Sequence, residues 1–233
     1  YKPSAEEVKS NADYVIYSDK SGVDFSIDRI GVCNKSWLFI DDTEAVILAG
    51  GTSSRMGRDK CFLDIHNRSL IDIKTEVLKN IFGSILISIA DESQVALYEK
   101  VNGQVVYDRL PGCGPLSGIE SALSHIKSNY LFVTACDMPD FDEEIFYSLF
   151  YYCKDYDAVV PKNLNGRVEP LFGVYQKSCL EKLRRFLRSG NYSATDFLRS
   201  INTKYVLIEK NIINLNTPEN LERYIHSYMG IRQ

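Results

Sequence analysis

The segment EAVILAGGTSSRMGRDK, from Glu44 to Lys60, places a short apolar run directly before a glycine pair and then before cations that include Arg55 and Lys60. Ala45 to Leu48, with β-branched Val46 and Ile47 at the centre, read as a buried strand. A chain leaving that strand through Gly50 and Gly51 can bring backbone N–H groups up to a ligand with no Cβ in the way. Arg55 and Lys60 supply charge for phosphate oxygens. In an open α/β sheet, ligands bind beyond the carboxyl ends of the strands, so the loop leaving the first strand is a favoured place for a nucleotide. The spacing matches neither the G-x-x-x-x-G-K-[ST] loop nor the G-x-G-x-x-G dinucleotide fingerprint, so another phosphate-binding class is required. Taken alone, a glycine pair is weak evidence, since most such pairs simply make turns.

Outward from this segment, short apolar runs alternate with stretches of helical period, the pattern of a mostly parallel sheet with helices on its faces. Ala45 to Leu48, Ile85 to Ile89, Val105 to Tyr107, Tyr130 to Thr134, Ala158 to Val160 and Tyr205 to Ile208 read as strands. Leu70 to Phe82, Leu116 to Ile126, Glu143 to Tyr152, Lys177 to Leu187 and Glu219 to Tyr228 read as helices. Ser69, Asp142 and Thr217 are suitable N-caps, and Pro218 suits a first helical position. Residues 1–43 lack this alternation. Tyr14 to Tyr17, Phe25 to Ile27 and Trp37 to Ile40 are separated by Ser, Gly and Asp, which suggests a small appended β structure before a main domain at 44–233.

With 233 residues, 45% hydrophobic and 25% charged, the chain is sized and composed for one large packed domain. A formal charge of −4 with scattered cations provides no basic field for a nucleic acid polymer. No apolar run reaches the roughly 20 residues of a membrane span and no signal-peptide region opens the chain, so a cytosolic location is expected. The six cysteines contain no C-x-x-C pair and read as small apolar residues. His66, His125 and His226 are isolated and suit ordinary surface or packing roles.

Three further strings stand at the ends of successive elements. After the third strand comes Asp108 and then Gly114-Pro115-Leu116-Ser117-Gly118, either a turn into a helix or an anion site at that helix's N-terminus. After the fourth comes Cys136-Asp137-Met138-Pro139, where a carboxylate at the end of a central strand can hold a metal ion against phosphate oxygens. Near the carboxyl end, Asn214-Leu215-Asn216-Thr217-Pro218-Glu219 is a helix start whose two asparagines share one side in extended chain.

From Leu48 to about Tyr224 the sequence resembles the molybdenum cofactor guanylyltransferases. Their first loop reads L-A-[GA]-G-x-x-x-R-[MF]-G followed by a lysine, matched here by Leu48-Ala49-Gly50-Gly51, Arg55-Met56-Gly57 and Asp59-Lys60. The resemblance continues through G-P-L-x-G, C-D-x-P and N-x-N-T-P-E, and through an E/H-P-L/T element at Glu169-Pro170-Leu171 that it places beside the acceptor. It implies a Rossmann-like nucleotidyltransferase fold in which Leu48, Ala49 and Gly50 hold guanine and ribose phosphate and Lys60 contacts the phosphates. The resemblance assigns Asp108 to GTP recognition and makes Asp137 the candidate holder of Mg2+. Ser88 stands where members of the family carry an asparagine that contacts the nucleotide. Asn214 and Asn216 are candidate acceptor-binding residues.

The implied reaction is attack by the terminal phosphate of molybdopterin on the α-phosphorus of GTP, with Arg55, Lys60 and Mg2+ neutralising charge. The acceptor phosphate is already ionised, so no general base is needed. The same resemblance leaves room for contacts with molybdenum-insertion and molybdoenzyme-maturation proteins. The competing readings are a CTP-dependent or sugar-phosphate nucleotidyltransferase and a non-catalytic nucleotide-binding module.

Overall fold

The computed structural model describes residues 40–50, 60–110, 112–139, 141–215 and 218–230. The expected β structure before residue 40 lies outside them. Seven strands, β1 (Thr43–Leu48), β2 (Ile85–Ile89), β3 (Gln104–Tyr107), β4 (Tyr130–Ala135), β5 (Ala158–Asn163), β6 (Phe172–Gln176) and β7 (Thr203–Ile208), form one sheet in the order β3-β2-β1-β4-β6-β5-β7. All run parallel except β6, which is antiparallel to both β4 and β5.

Alternate residues of the central strands feed two cores, because successive side chains leave a strand on opposite faces. Ala45 and Ile47 of β1, Ile85 and Ile87 of β2 and Phe132 of β4 face one side. That side is covered by α1 (Leu70–Lys79), α4 (Glu143–Tyr152) and α7 (Pro218–Gly230), through Leu70, Leu78, Phe146 and Tyr224 among others. Val46, Leu86, Leu131 and Val133 face the other side, under α3 (Pro115–His125), α5 (Leu180–Arg188) and α6 (Ala194–Ser200). Phe132 is buried on β4 and packs against Phe82, Phe146 and Phe172 with ring centroids 5.1–5.6 Å apart, tying α4 and β6 to the sheet centre.

The two expected caps within the described residues form as anticipated. Ser69 Oγ accepts from the Asp72 N–H at 3.2 Å at the start of α1, and Asp142 Oδ1 accepts from the Ile145 N–H at 3.0 Å at the start of α4. Thr217 lies outside the described residues. His66 is exposed and, with Asn67, has a left-handed backbone ahead of α1. Cys61, Cys136, Cys153 and Cys179 are buried like the small apolar residues they were expected to be.

Several elements depart from the periodicity reading. The expected helix from Lys177 begins with a 3-10 turn, Lys177–Cys179, and becomes α-helical at Leu180. The short α6 was not anticipated, since seven residues offer too little repeat to reveal a period. Its start is nevertheless encoded by Ser193, whose side chain caps the Asp196 N–H.

The topology locates the crevice. After β1 the chain builds outward through β2 and β3, then returns to place β4 on the other flank of β1. The connections therefore diverge on either side of β1, and the carboxyl ends of β1, β2 and β4 open onto a common cleft.

Candidate active site

Leu48, the last residue of β1, stands in register with Ser88 of β2 and Ala135 of β4. Beyond it the chain stays on the sheet: the Ala49 and Gly50 N–H groups both donate to the Ser88 carbonyl, at 2.7 and 3.0 Å. On the other flank the Cys136 N–H donates to the Leu48 carbonyl at 3.0 Å. A Cβ at Gly50 would stand 2.6 Å from the Ala90 nitrogen and 2.9 Å from the Ile89 carbonyl carbon, so glycine is required there for space. Gly51 and residues 52–59, including Arg55, lie outside the described residues.

The G-P-L-S-G string serves packing as well as the turn. Gly114 is left-handed, at φ +67°, and Pro115 opens α3. A Cβ at Gly118 would lie 2.6 Å from Ser88 Oγ and 2.9 Å from Leu48 Cδ2, so this glycine lets α3 sit directly on the ends of β1 and β2. Sequence reading identified the motif but could not tell which strand ends the helix would meet.

Ser88 and Asp108 come together: the buried Ser88 Oγ donates to Asp108 Oδ1 at 3.2 Å. Burial raises the Asp108 carboxyl to about 6, helped by the charge of Glu120 and opposed by the Ser88 and Ser117 hydroxyls. Ser88 is therefore directed at a carboxylate, a use that its departure from the family's asparagine did not suggest.

Across the crevice, Lys60 Nζ, at the start of a 3-10 turn, lies 3.5 Å from Asp137 Oδ2, and both side chains keep about a fifth to a quarter of their surface exposed. The turn carrying Asp137 is held at its backbone. The Met138 N–H donates to the Ala135 carbonyl at 3.2 Å, and the Leu215 N–H to the Asp137 carbonyl at 2.7 Å. That last bond brings Asn214 and its neighbours to the Asp137 turn; Asn216 lies outside the described residues. The Asn214 carbonyl accepts from Asn220 Nδ2 at 3.0 Å, fixing this segment to α7.

Glu169 adds a second carboxyl. It is nearly buried, is raised above the usual carboxylate range by that burial, with the Asp137 charge adding to the effect, and pairs with Arg167 at 2.8 Å. Sequence reading missed Lys74. This lysine is 6% exposed on α1 and donates to the carbonyls of Ala135, at 2.7 Å, and Met138, on either side of Asp137. The signal was its place one turn from Leu70 and one turn from Leu78, a cation in the apolar stripe of an amphipathic helix.

A mostly parallel α/β sheet whose first strand exits over its neighbour, with a paired lysine and aspartate at the crevice, is an arrangement suited to a nucleotide. The chain belongs to the MobA-like NTP transferase domain family, whose model matches residues 45–205. A Pelotomaculum thermopropionicum protein named "Probable molybdenum cofactor guanylyltransferase" is 34% identical over 185 residues, 76% of this chain and 88% of that protein. A Clostridium perfringens protein of the same name is 36% identical over 193 residues, 78% and 95% of the two chains. Among solved structures, molybdopterin-guanine dinucleotide biosynthesis protein A from Archaeoglobus fulgidus superposes with a TM-score of 0.71 at 26% identity, covering 80% of this chain and 99% of that one. The expected fold and family are borne out. Among the described residues, no helix is long and apolar enough to cross a membrane.

Proposed function

We propose that this protein transfers GMP from GTP to the terminal phosphate of molybdopterin, forming molybdopterin guanine dinucleotide and pyrophosphate, and that it does so in the cytosol. The observation that carries this reading is the pairing of Lys60 with Asp137, 3.5 Å apart at the end of β4, opposite the glycine exit from β1. Among the described residues no three His, Cys, Asp or Glu side chains cluster as a metal cage. Mg2+ asks for less, because one or two carboxylates suffice when substrate phosphates and water complete an octahedron. The partly exposed Asp137, with Glu169 near enough for their charges to interact, fits that requirement.

Bound there, Mg2+ would neutralise charge on the phosphates of GTP as the transition state develops. The chain's own groups do the rest. The backbone at Leu48, Ala49 and Gly50 receives the nucleoside, and Lys60 turns from Asp137 toward the phosphates. Arg55 adds a second cation, and Asn214 and Asn216 orient the acceptor. An oxygen of the molybdopterin phosphate forms a bond to the α-phosphorus while the α–β phosphoanhydride breaks and pyrophosphate leaves. The nucleophile arrives ionised, so positioning and charge stabilisation carry the step.

Measuring pyrophosphate release with GTP and CTP side by side, with and without molybdopterin, tests the reading. Molybdopterin-dependent release with GTP, at least about 100-fold above CTP, is expected because mispaired base-edge groups are strongly penalised. Equal or greater release with CTP would overturn the guanylyl assignment, and binding of GTP without turnover would favour a non-catalytic module.

Asp108 provides a second test. An ionised carboxylate there can accept from the N–H groups on the Watson–Crick edge of guanine, so the KM for GTP should rise as pH falls below about 6. Asp108→Asn should weaken GTP binding and remove that pH dependence. Stability should move the opposite way. A raised carboxyl contributes stability that is complete below about pH 4 and is lost as pH rises through 6, because the charged form is the one burial penalises. Asp108→Asn should therefore be more stable than the parent at pH 8 by about 1 kcal/mol, a figure kept small because the group is only half-buried, and the gap should close at pH 4. Denaturant melts at the two pH values check this.

A further inference from the structure

We infer that Lys74 is a positioning residue for the metal-binding aspartate: a buried ammonium that clasps both ends of the Asp137 turn and thereby sets where that carboxylate stands in the crevice. The inference rests on the reading of Asp137 as the metal ligand and adds to it the device that aims the ligand.

Lys74 lies on the core-facing side of α1, 6% exposed, between Leu70 and Leu78. Its Nζ donates to the Ala135 carbonyl at 2.7 Å, where β4 ends, and to the Met138 carbonyl two residues past Cys136. These bonds link positions 61 and 64 residues apart in the chain. The same turn is closed by the Met138 N–H on the Ala135 carbonyl, anchored to β1 through the Cys136 N–H, and tied to the Asn214 segment through the Asp137 carbonyl. Asp137 thus sits at the centre of a turn restrained from α1, from β1 and from the chain before α7, while its carboxylate stays free to face Lys60 and the crevice.

Burying an ammonium costs several kcal/mol unless it is well hydrogen-bonded, and carbonyl dipoles aimed at one nitrogen provide that compensation. An apolar residue in the same stripe would satisfy the helix at lower cost. What the lysine alone provides is a rigid bracket around one turn. Groups that orient a metal ligand without touching the metal typically alter affinity or activity by about 10- to 100-fold when removed.

Lys74→Met keeps length and apolar packing and deletes both bonds. Lys74→Arg keeps the charge, but its planar fork cannot set one nitrogen against both carbonyls in the same way. The decisive measurement is divalent-ion affinity, from Mn2+ titration of the full-length protein in the presence of a non-hydrolysable GTP analogue, followed by electron paramagnetic resonance. Lys74→Met should weaken Mn2+ about 10-fold or more and lower kcat by roughly 10- to 100-fold, with the KM for GTP changed less than about twofold. Lys74→Arg should recover part of both losses. Unchanged Mn2+ affinity in Lys74→Met, whatever its melting temperature, overturns the proposal. Should Lys74→Met fail to fold, Lys74→Arg decides: a lowered melting temperature with unchanged Mn2+ affinity means the lysine serves only the fold. Asp137→Ala is titrated in parallel. If that variant binds Mn2+ like the parent, the metal reading of Asp137 has failed. If it loses Mn2+ while both Lys74 variants keep it, only the positioning role has failed.

Discussion

Asp137→Ala is expected to reduce metal-dependent pyrophosphate release from GTP and molybdopterin by at least about 100- to 1,000-fold, the range that follows when one preorganised electrostatic group is removed from a transition state. The loss should fall on kcat and on metal activation rather than on the fold. The Asp137 side chain retains 24% of its surface exposed, and the turn around it is held by the backbone and by Lys74. Those restraints survive truncation of the carboxylate, so the melting temperature should move by only a few degrees. The variant also removes the carboxylate that stands 3.5 Å from Lys60. With one negative charge fewer in the crevice, GTP binding in the absence of metal should hold or tighten slightly while turnover collapses. Normal turnover in Asp137→Ala would remove the centre of the proposed mechanism.

Gly50→Ala is the substitution expected to damage both stability and nucleotide binding. The added methyl would meet the Ala90 nitrogen at 2.6 Å and the Ile89 carbonyl carbon at 2.9 Å, and both are backbone atoms that no rotamer change can move aside. Relief requires the exit from β1 to lift away from β2, which stretches the bonds from the Ala49 and Gly50 N–H groups to the Ser88 carbonyl. Overpacking of this kind costs about 1–3 kcal/mol, and the upper part of the range is expected because a sheet must yield. Chemical denaturation should show the loss, and GTP titration a weakening of at least about tenfold, each 1.4 kcal/mol being a factor of ten. Gly83→Ala is the control, since a Cβ there meets nothing within 4 Å, and its effect should stay within about 0.5 kcal/mol. Equal stability of the two variants would show that the β1 exit is softer than its packing implies.

Much of the proposed site is legible in residue order because the topology brings strand ends together. Leu48, Ser88, Asp108 and Asp137 sit at or just beyond the carboxyl ends of β1 to β4, and strands that run parallel open those ends toward one crevice. A short apolar run followed by a glycine pair or a strand-terminal aspartate is therefore informative before any contact is known. The limits of such reading are equally specific. Phe172–Gln176 was noted only as part of a motif leading into an added strand. Its direction depends on its pairing with β4 and β5, which lie 38 and 9 residues before Phe172 at Thr134 and Asn163 and cannot be read from the segment's own pattern. Lys74 was hidden because helical period marks a face and says nothing of which carbonyls the face will meet.

By itself, then, the order of residues determined six of the sheet's seven strands, the capped helices α1 and α4, and the family to which the glycine exit and Asp137 belong. Those features arise from local periodicity and from short strings whose chemistry travels with them. Only the tertiary structure decided that Ser88 is spent on Asp108, that Gly118 is small to admit α3 against Leu48 and Ser88, and that Lys74 brackets the turn of Asp137. Each of these joins groups from different elements, at separations from 20 to 70 residues in the chain. A hydrogen bond or a steric limit exists only at a few ångströms, and distance in space between such groups is settled by the packing of whole elements.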